Sequence, residues 1–307
     1  EITTRLVGSE MCIRDRNNAW RDSSVPSDRF YDDFDLQFDF LKQDSVENNF
    51  FYYNLAVESP QRIQCDIYSA RVKAIDNGED PYAQISRYFK KTVAEHRTNN
   101  KLDQFFSYTG DGSYSNSLTA WTPETFTIRE QLPGVFDKEG RARFIRYNFS
   151  AYPKDDVINM LKREDLDLSI FHEHGVPERQ YLSGSPATNR WNTHMDAMKY
   201  YYRSLARKKQ GNKKAFDEML DKMKDKYGLD STWIAGYADP KVIAEDSLLD
   251  LRTGIILPEV TDFKPNSRMV IFDACYNGDF REKDYIAGRY IMSEGCLLYT
   301  SPSPRDA

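Results

Sequence analysis

Cysteine is scarce in this chain of 307 residues, which contains four, and histidine is equally rare at four. Two of the four cysteines, Cys12 and Cys296, lie near the ends of the chain in segments that differ from the rest, and the remaining two are too few for a disulfide framework or a cysteine-rich zinc site. The sequence also lacks an apolar run of the roughly 18 residues that a membrane-spanning helix needs. We therefore expect no membrane span within it, and the scarcity of cysteine does not by itself indicate a compartment.

An excess of positive charge is absent as well. The formal net charge is −6 and the pI is about 5.4. Nucleic-acid-binding domains usually carry a basic patch, so we expect no nucleic acid partner. Aromatic residues are plentiful at 14% of the chain, which indicates a well-filled core.

The two ends of the chain differ from the rest. LVGSEMCIRDR near the start reads as one frame of a transposon-type sequencing adapter, and CLLYTSPSPRD near the end reads as a frame of the same adapter reversed. We interpret residues 1–16 and 296–307 as adapter-like segments and expect residues 17–295 to carry the fold, as a fragment. The cysteines outside these two segments are Cys65 and Cys275.

Hydrophobic patterning predicts strands that alternate with helices. A strand rich in apolar residues is followed by a helical pattern in several places, which is typical of a parallel α/β sheet. Between the last two predicted strands, residues 176–266 contain helices of mixed charge and read as a solvated helical insertion. The predicted strands are Phe50–Val57, Arg62–Ile75, Arg141–Ser150, Leu166–Phe171 and Arg268–Asp273, and the predicted helices are Tyr82–Arg97, Asp155–Lys162 and Arg281–Gly295.

Two predicted strands end in polar residues that can do chemistry. One runs into FHEHG, which places His174 and Gly175 at its end, and the other runs into DACYNGDF, which places Cys275 in a polar turn. Sites in parallel sheets form at the carboxyl ends of the strands. A structural cysteine usually lies within an apolar run, and we interpret Cys65 as such a core residue. Cys275, by contrast, occupies the position expected of a nucleophile.

These residue types suit acyl transfer. A cysteine attacks as the thiolate, and a neighbouring histidine takes the thiol proton and later protonates the leaving amine. Backbone N–H groups stabilise the oxyanion, and a glycine after the histidine lets its backbone approach the substrate. We therefore expect Cys275 and His174 to lie close together.

The motif from Ala274 to Phe280 resembles the gingipain-type cysteine peptidases, which are relatives of the caspases. That family shows an apolar strand running into His-Gly and another running into Ala-Cys-x-Asn-Gly-Asp-Phe. The chain matches all six fixed positions of this seven-residue motif. Residues 62–295 are covered by the resemblance, apart from the insertion, although Ala70 stands where the family usually has glycine.

The resemblance implies a caspase-like α/β fold and a cysteine endopeptidase. Cys275 would be the nucleophile and His174 the general base and acid, with the backbone N–H groups of Gly175 and Cys275 as the oxyanion hole. His172, Asp273 and Tyr276 are candidates for lining the substrate. The role of an acid that orients His174 stays unassigned, because alternation along a strand points the side chain of Glu173 to the other face.

The resemblance also bears on partners, cofactors and location. It implies protein or peptide substrates and a secreted or cell-surface protein. The chemistry requires no cofactor, although relatives can bind structural calcium. The segment between the histidine and the cysteine is longer than in the proteases that name the family, so the rim of the site should differ.

Two other functions are compatible with the sequence. A peptidase-like protein without activity could bind peptides or glycans through an aromatic-rich surface. Alternatively, the His-x-His pair of His172 and His174 could belong to a metal hydrolase, with His194 and aspartates as further ligands. The metal reading leaves the polar turn of Cys275 without a role. His172 could also replace His174 as the base, because period-two alternation places both on one face of a strand.

Overall fold

The protein is described from a computed structural model that divides into two compact units, residues 1–72 and residues 73–307. The described residues are 3–7, 24–26, 32–45, 48–60, 66–67, 70–110, 126, 130, 141–146, 153–182 and 195–300. Cys65, predicted to be a core residue, and His194 lie outside the described residues. Each unit is described by itself.

The first unit contains a four-stranded sheet. Its strands are β1 (Thr3–Val7), β2 (Ser24–Pro26), β3 (Phe38–Gln43) and β4 (Phe50–Leu55). The spatial order is β2-β1-β4-β3, with β1 parallel to β4 and the other neighbours antiparallel. The predicted strand at Phe50 is confirmed, and Tyr52 at its centre is fully buried.

The second unit holds the remaining elements of the described chain. Its strands are β5 (Phe105–Thr109), β6 (Ala142–Arg146), β7 (Leu168–His172), β8 (His174–Val176), β9 (Arg179–Tyr181), β10 (Gly254–Ile256), β11 (Met269–Asp273) and β12 (Leu298–Thr300). Its helices are α1 (Pro81–His96), α2 (Lys154–Leu161), α3 (Met195–Lys209), α4 (Lys213–Tyr227), α5 (Pro240–Arg252), α6 (Leu257–Phe263) and α7 (Ile286–Met292).

A parallel sheet of five strands forms the centre of the second unit. Its spatial order is β12-β11-β7-β5-β6, and every neighbouring pair is parallel. Numbered along the chain, this order is 2-1-3-4-5 from the β6 edge, that of a doubly wound sheet with its switch point between β5 and β7. The predicted α/β class with a mostly parallel sheet and flanking helices is therefore confirmed.

Strand β7 is the middle strand of this sheet, with β11 on one side and β5 on the other, and its residues Ile170 and Phe171 are buried apolar side chains on its two faces, as a central parallel strand requires. Phe171 and Phe272 stack across the pair of β7 and β11 at 5.7 Å between ring centroids. Tyr290 on α7 packs edge-on against Phe272 at 5.1 Å. These buried rings fix the two strands against the helix that follows the cysteine turn.

A small antiparallel sheet lies beyond the carboxyl end of β7. Its order is β10-β9-β8, so β9 is central and pairs with both neighbours. Strands β8 and β9 form a hairpin closed by Val176 and Arg179. The chain leaves this sheet after β9 for helices α3 to α5 and returns through β10.

The predicted insertion, residues 176–266, is thus built of helices together with strands β9 and β10. Its helices pack around buried residues that include Tyr202, Met219 and Met223. Asp246 on α5 is buried and accepts hydrogen bonds from Arg203 and Arg207 on α3. A buried carboxylate is stable only when paired in this way, so the pairs hold α3 and α5 together.

Local sequence signals explain where the helices begin and end. Asp80 caps α1 by accepting a hydrogen bond from the Ala83 N–H at 2.8 Å, and Pro81 occupies the first turn. Asn212 caps α4 in the same manner. Gly228 ends α4 with φ of +66°, the left-handed conformation that glycine adopts readily.

Two predicted elements are wrong in extent. The predicted strand Arg62–Ile75 has no regular structure from Ala70 onward, and residues 61–65 and 68–69 lie outside the described part. Near its end the polar groups are satisfied by a side chain, since Gln84 bonds both the N–H and the C=O of Ile75. The predicted helix Arg281–Gly295 is restricted to α7, because the residues before it form turns.

Both adapter-like segments contain a strand, β1 in one and β12 in the other. Strand β12 pairs with β11, and its Tyr299 ring packs edge-on against Phe272 at 6.5 Å between ring centroids. No helix in the described part of the chain is both long and apolar enough to cross a membrane.

Candidate functional site

The register of β7 and β11 brings the predicted dyad to one edge of the sheet. His172 is paired with Asp273, the last residue of each strand. His174 and Cys275 each lie two residues beyond this pair. The Glu173 N–H donates to the Asp273 carbonyl at 3.2 Å, which extends the contact past the strand ends.

Cys275 lies in a tight turn directly after β11. The turn is closed by the Asp279 N–H, which donates to the Tyr276 carbonyl at 3.1 Å. Tyr276 has φ of +59°, an uncommon conformation for a residue other than glycine. Such backbone outliers cluster at functional sites, where the surrounding structure holds them in place. Cys275 is a free thiol and is partly exposed.

Asn277 joins the cysteine turn to the hairpin that follows His174. Its side-chain amide donates to the carbonyls of Val176 at 2.6 Å and Arg179 at 2.9 Å. The backbone carbonyl of Asn277 accepts a hydrogen bond from the Ala287 N–H of α7 at 3.0 Å. Fully buried, Asn277 therefore fixes the distance between the two segments that carry the candidate dyad.

Gly175 is required by this contact. A Cβ at position 175 would lie 2.4 Å from the Asn277 side-chain oxygen, closer than real Cβ contacts allow. In the hairpin, Gly175 faces Gln180, and Gln180 also faces Ile255 on the other side. Alternation in an antiparallel ladder predicts that the polar backbone groups of Gly175 point away from β9. This orientation leaves its N–H available as an oxyanion donor.

The electrostatic setting favours the neutral forms of both dyad residues. Burial raises the pKa of the Cys275 thiol above its ordinary value, and the nearby Asp273 raises it further. Burial lowers the pKa of His174 below its ordinary value. At neutral pH the site therefore holds a thiol and a neutral imidazole, the form of histidine that can accept a proton.

His172 and Asp273 form a separate pair beneath the site. The His172 Nδ1 lies 3.2 Å from an Asp273 carboxylate oxygen. The His172 side chain is 1% exposed and that of Asp273 is 28% exposed. The pair links the ends of β7 and β11, and Asp273 reaches the surface beside Cys275.

The three residues predicted to line the substrate differ in their exposure to solvent. Tyr276 is 39% exposed and Asp273 is partly exposed, so both can contact a substrate. The His172 side chain is buried, and its Nδ1 lies beside Asp273, so in this conformation it is not at the surface of the site.

The burial of the Glu173 side chain, next to the candidate dyad, was not predicted from the sequence. Glu173 sits in the break between β7 and β8 and accepts a hydrogen bond from the Gln180 side chain at 2.7 Å. The Tyr290 hydroxyl donates to the Gln180 side-chain oxygen at 2.8 Å. The signal that could have found it is a glutamate next to an apolar strand, where a charge has no obvious contact with water.

The metal alternative depends in part on His194, which lies outside the described residues. Within the described ranges, no three His, Cys, Asp or Glu side chains come together in a way that could hold a metal ion. One member of the His-x-His pair, His172, has its Nδ1 beside Asp273 inside the protein.

Comparisons with protein-family models, with curated proteins and with solved structures find no match to this chain.

Proposed function

We propose that this protein is a cysteine endopeptidase with a caspase-like fold, in which Cys275 is the nucleophile and His174 is the general base and acid. The observation that carries the proposal is the register of β7 and β11, which brings the ends of both strands together. Asn277 supports it by tying the cysteine turn to the hairpin after His174. The resemblance of the motif around Cys275 to gingipain-type peptidases supplies the reaction class.

The reaction follows from the neutral resting pair. The sulfur of Cys275 attacks the carbonyl carbon of the peptide bond while the imidazole of His174 takes the thiol proton. The C–N bond then breaks, the imidazole gives this proton to the leaving amine, and the acyl group remains on sulfur as a thioester. Water attacks the thioester and passes a proton to the imidazole, which returns it to the sulfur as the carboxylic acid leaves.

Backbone groups would stabilise the charge that develops on the carbonyl oxygen. The N–H groups of Gly175 and Cys275 are the proposed donors, and neither needs a side chain. Tyr276 and Asp273 would contact the substrate at the mouth of the site. The Asp273 carboxylate would suit a basic side chain of the substrate, and one of its oxygens lies 3.2 Å from the His172 Nδ1.

The proposal extends to the setting of the enzyme only through the resemblance. Protein or peptide substrates and a secreted or cell-surface location are what such peptidases would require. No cofactor takes part in the steps above, and a structural calcium ion would leave them unchanged.

Labelling with peptide probes that carry a thiol-reactive group tests the proposal. We expect a probe with a suited side chain to label the parent protein, and Cys275→Ala to abolish labelling. Cys296→Ala is the matched control, because Cys296 is buried and burial raises the pKa of its thiol to about 12. This variant should be labelled like the parent.

A second variant separates an enzyme from a merely reactive thiol. His174→Ala should lose labelling by peptide probes, which need the base, while iodoacetamide still alkylates Cys275. Absence of labelling by every probe in folded parent protein would contradict the peptidase proposal and favour an inactive binding protein. Inhibition by chelators together with bound zinc would instead favour a metal hydrolase.

A further inference from the structure

A chain of three buried side chains runs behind the candidate dyad. It begins at the Tyr290 hydroxyl on α7, which donates to the Gln180 oxygen on β9. The Gln180 amide nitrogen then donates to one carboxyl oxygen of Glu173. All three residues are at most 1% exposed, so none of these bonds competes with water.

The direction of the chain is fixed by its first member. Burial raises the pKa of Tyr290 well above its ordinary value, so its hydroxyl remains a donor. The Gln180 oxygen is therefore the acceptor, and the amide nitrogen must point toward Glu173. Tyr290 on α7, the helix that follows the cysteine turn, thus determines the orientation of the Gln180 side chain on the hairpin.

Glu173 is an incomplete member of this chain. One of its carboxyl oxygens, Oε2, is buried and has no hydrogen-bond partner among the described residues. Buried carboxyl groups in folded proteins are normally satisfied, and exceptions occur at functional sites. Burial raises the pKa of this carboxyl to about 8, against a smaller opposing effect of the Gln180 bond. The group is therefore neutral at neutral pH.

Four elements lie next to Glu173. Strand β9 contributes Gln180 and α7 contributes Tyr290, the titratable group whose pKa Glu173 itself raises. At the end of β5, a Cβ built on Gly110 would lie 3.4 Å from the Cβ of Glu173. From β11 comes the carbonyl of Asp273, which accepts the Glu173 N–H. The charged group nearest in sequence on β11 is the Asp273 carboxylate, which is engaged by His172.

Glu173 is also placed to influence the dyad. It directly precedes His174, and its partner Gln180 faces Gly175 across the hairpin. A shift of the Glu173 side chain therefore affects His174 through the peptide bond that joins them. It affects Gly175, the proposed oxyanion donor, through Gln180, which is paired with Gly175 in the hairpin.

We propose that Glu173 is a positioning residue for the candidate site. Through Gln180 and Tyr290, its neutral carboxyl holds the hairpin β8–β9 so that His174 and Gly175 face Cys275. Ionisation makes the carboxyl a stronger acceptor for Gln180, but it also leaves a buried charge with a single hydrogen-bond donor among the described residues, and hydration of this charge opens the hairpin. The inference rests on the proposed function for its effect on catalysis, although the coupling within the structure can be measured without it.

The sign of the pH effect follows from the raised pKa. The folded state keeps the Glu173 proton up to about pH 8, whereas an unfolded chain loses it near its ordinary value of 4.5. The stabilising contribution is therefore complete below pH 4.5 and is lost as the pH rises through about 8. Positioning should fail over the upper part of the same window.

Nuclear magnetic resonance gives a readout that does not depend on activity. We expect the carbon signal of the Glu173 carboxyl, assigned by its loss in Glu173→Gln, to titrate near pH 8. The amide signal of Gly175 should move with the same midpoint in the parent and not in Glu173→Gln. Titration of His174 is resolved from this change, because burial lowers its pKa below the ordinary value of 6.5.

Kinetics give the second readout. Glu173→Ala should lower kcat by about tenfold to a hundredfold with KM nearly unchanged, because misplacement affects the chemical step. Glu173→Gln, which keeps the acceptor for Gln180 and cannot ionise, should restore kcat and remove the decline above about pH 8. The control is Asp167→Asn, another buried carboxylate next to the opposite end of β7, which should leave the pH profile in place.

The outcomes are separable. An amide signal of Gly175 that ignores the Glu173 titration, or a kcat loss in Glu173→Ala that Glu173→Gln does not rescue, would overturn the positioning role. Absence of peptidase turnover in the parent would overturn the proposed function, and the NMR titration would still decide the positioning role.

Discussion

The two ends of β7 treat a buried carboxyl group in opposite ways. At the amino end, Asp167 accepts hydrogen bonds from the side chains of Asn100 and Arg268 and from the Gln104 N–H. At the carboxyl end, Glu173 accepts one bond and leaves an oxygen without a partner among the described residues. Both residues are at most 3% exposed, so burial alone does not explain the difference.

The two ends of β7 therefore contribute differently: the amino end to stability and the carboxyl end to the proposed site. At the amino end, the hydrogen bonds of Asp167 join the start of β7 to neighbouring segments and satisfy both carboxyl oxygens. The carboxyl end retains unsatisfied atoms, including the Asn277 side-chain oxygen, in the region that carries the candidate dyad. Proteins generally place such exceptions at functional sites, where local strain is held by the surrounding structure.

The largest effect on stability is expected at the saturated end. Asp167→Ala should lower the free energy of unfolding by about 3 kcal/mol, because it leaves the Gln104 N–H without its acceptor and removes one of the two carboxylates that pair with Arg268. Urea denaturation would measure it. Asp165→Ala removes an exposed carboxylate from the same loop and should change stability by less than about 0.5 kcal/mol. Equal decreases in the free energy of unfolding for Asp167→Ala and Glu173→Ala would contradict the difference proposed between the two ends of β7.

A smaller effect is expected where Gly175 meets Asn277. Gly175→Ala should cost about 2 kcal/mol, because its Cβ would overlap the Asn277 amide. Combining it with Asn277→Ala should give a loss smaller than the sum by about 1 kcal/mol, as measured by a double-mutant cycle. The control is Gly211→Ala, since a Cβ there would meet nothing within 4 Å. Strict additivity would show that the two residues do not share the space.

The smallest effect concerns the thiol itself. Asp273→Asn removes a negative charge that raises the pKa of Cys275, so the pKa should fall and the thiolate fraction at neutral pH should rise. The rate of alkylation by iodoacetamide should increase by about threefold to tenfold. Asp284→Asn removes a carboxylate that is engaged by Arg289 and should leave the rate unchanged. A slower rate in Asp273→Asn would reverse the sign of the electrostatic argument.

Long apolar patterns made the centre of the fold predictable. The strands that became β7 and β11, and the helix that became α1, were predicted within two residues of their ends. The positions of His174 and Cys275 next to strand ends followed from the same patterns. Parallel pairing of the two strands was expected from the alternation of strands and helices and is confirmed.

Other parts depend on contacts that no local pattern reveals. Strands β8, β9 and β10 have three residues each, which is too short to show a period. The burial of Glu173 requires the hairpin and α7 to close over it. The predicted strand that ends at Ile75 has suitable residues, yet Gln84 takes its backbone groups. In each case tertiary contacts overrode the local preference.

The attachment of the inserted helices has a consequence for how this protein can vary. Tyr181 and Gly254 face each other on neighbouring strands, so the chain departs and returns within one strand spacing. The entropy of closing a loop grows only with the logarithm of its length, about 0.6 kcal/mol for each doubling. The insert can therefore lengthen, shrink or change its surface while the register at the dyad stays the same. Evolution can therefore change the inserted helices while the strands that carry the candidate site keep their register.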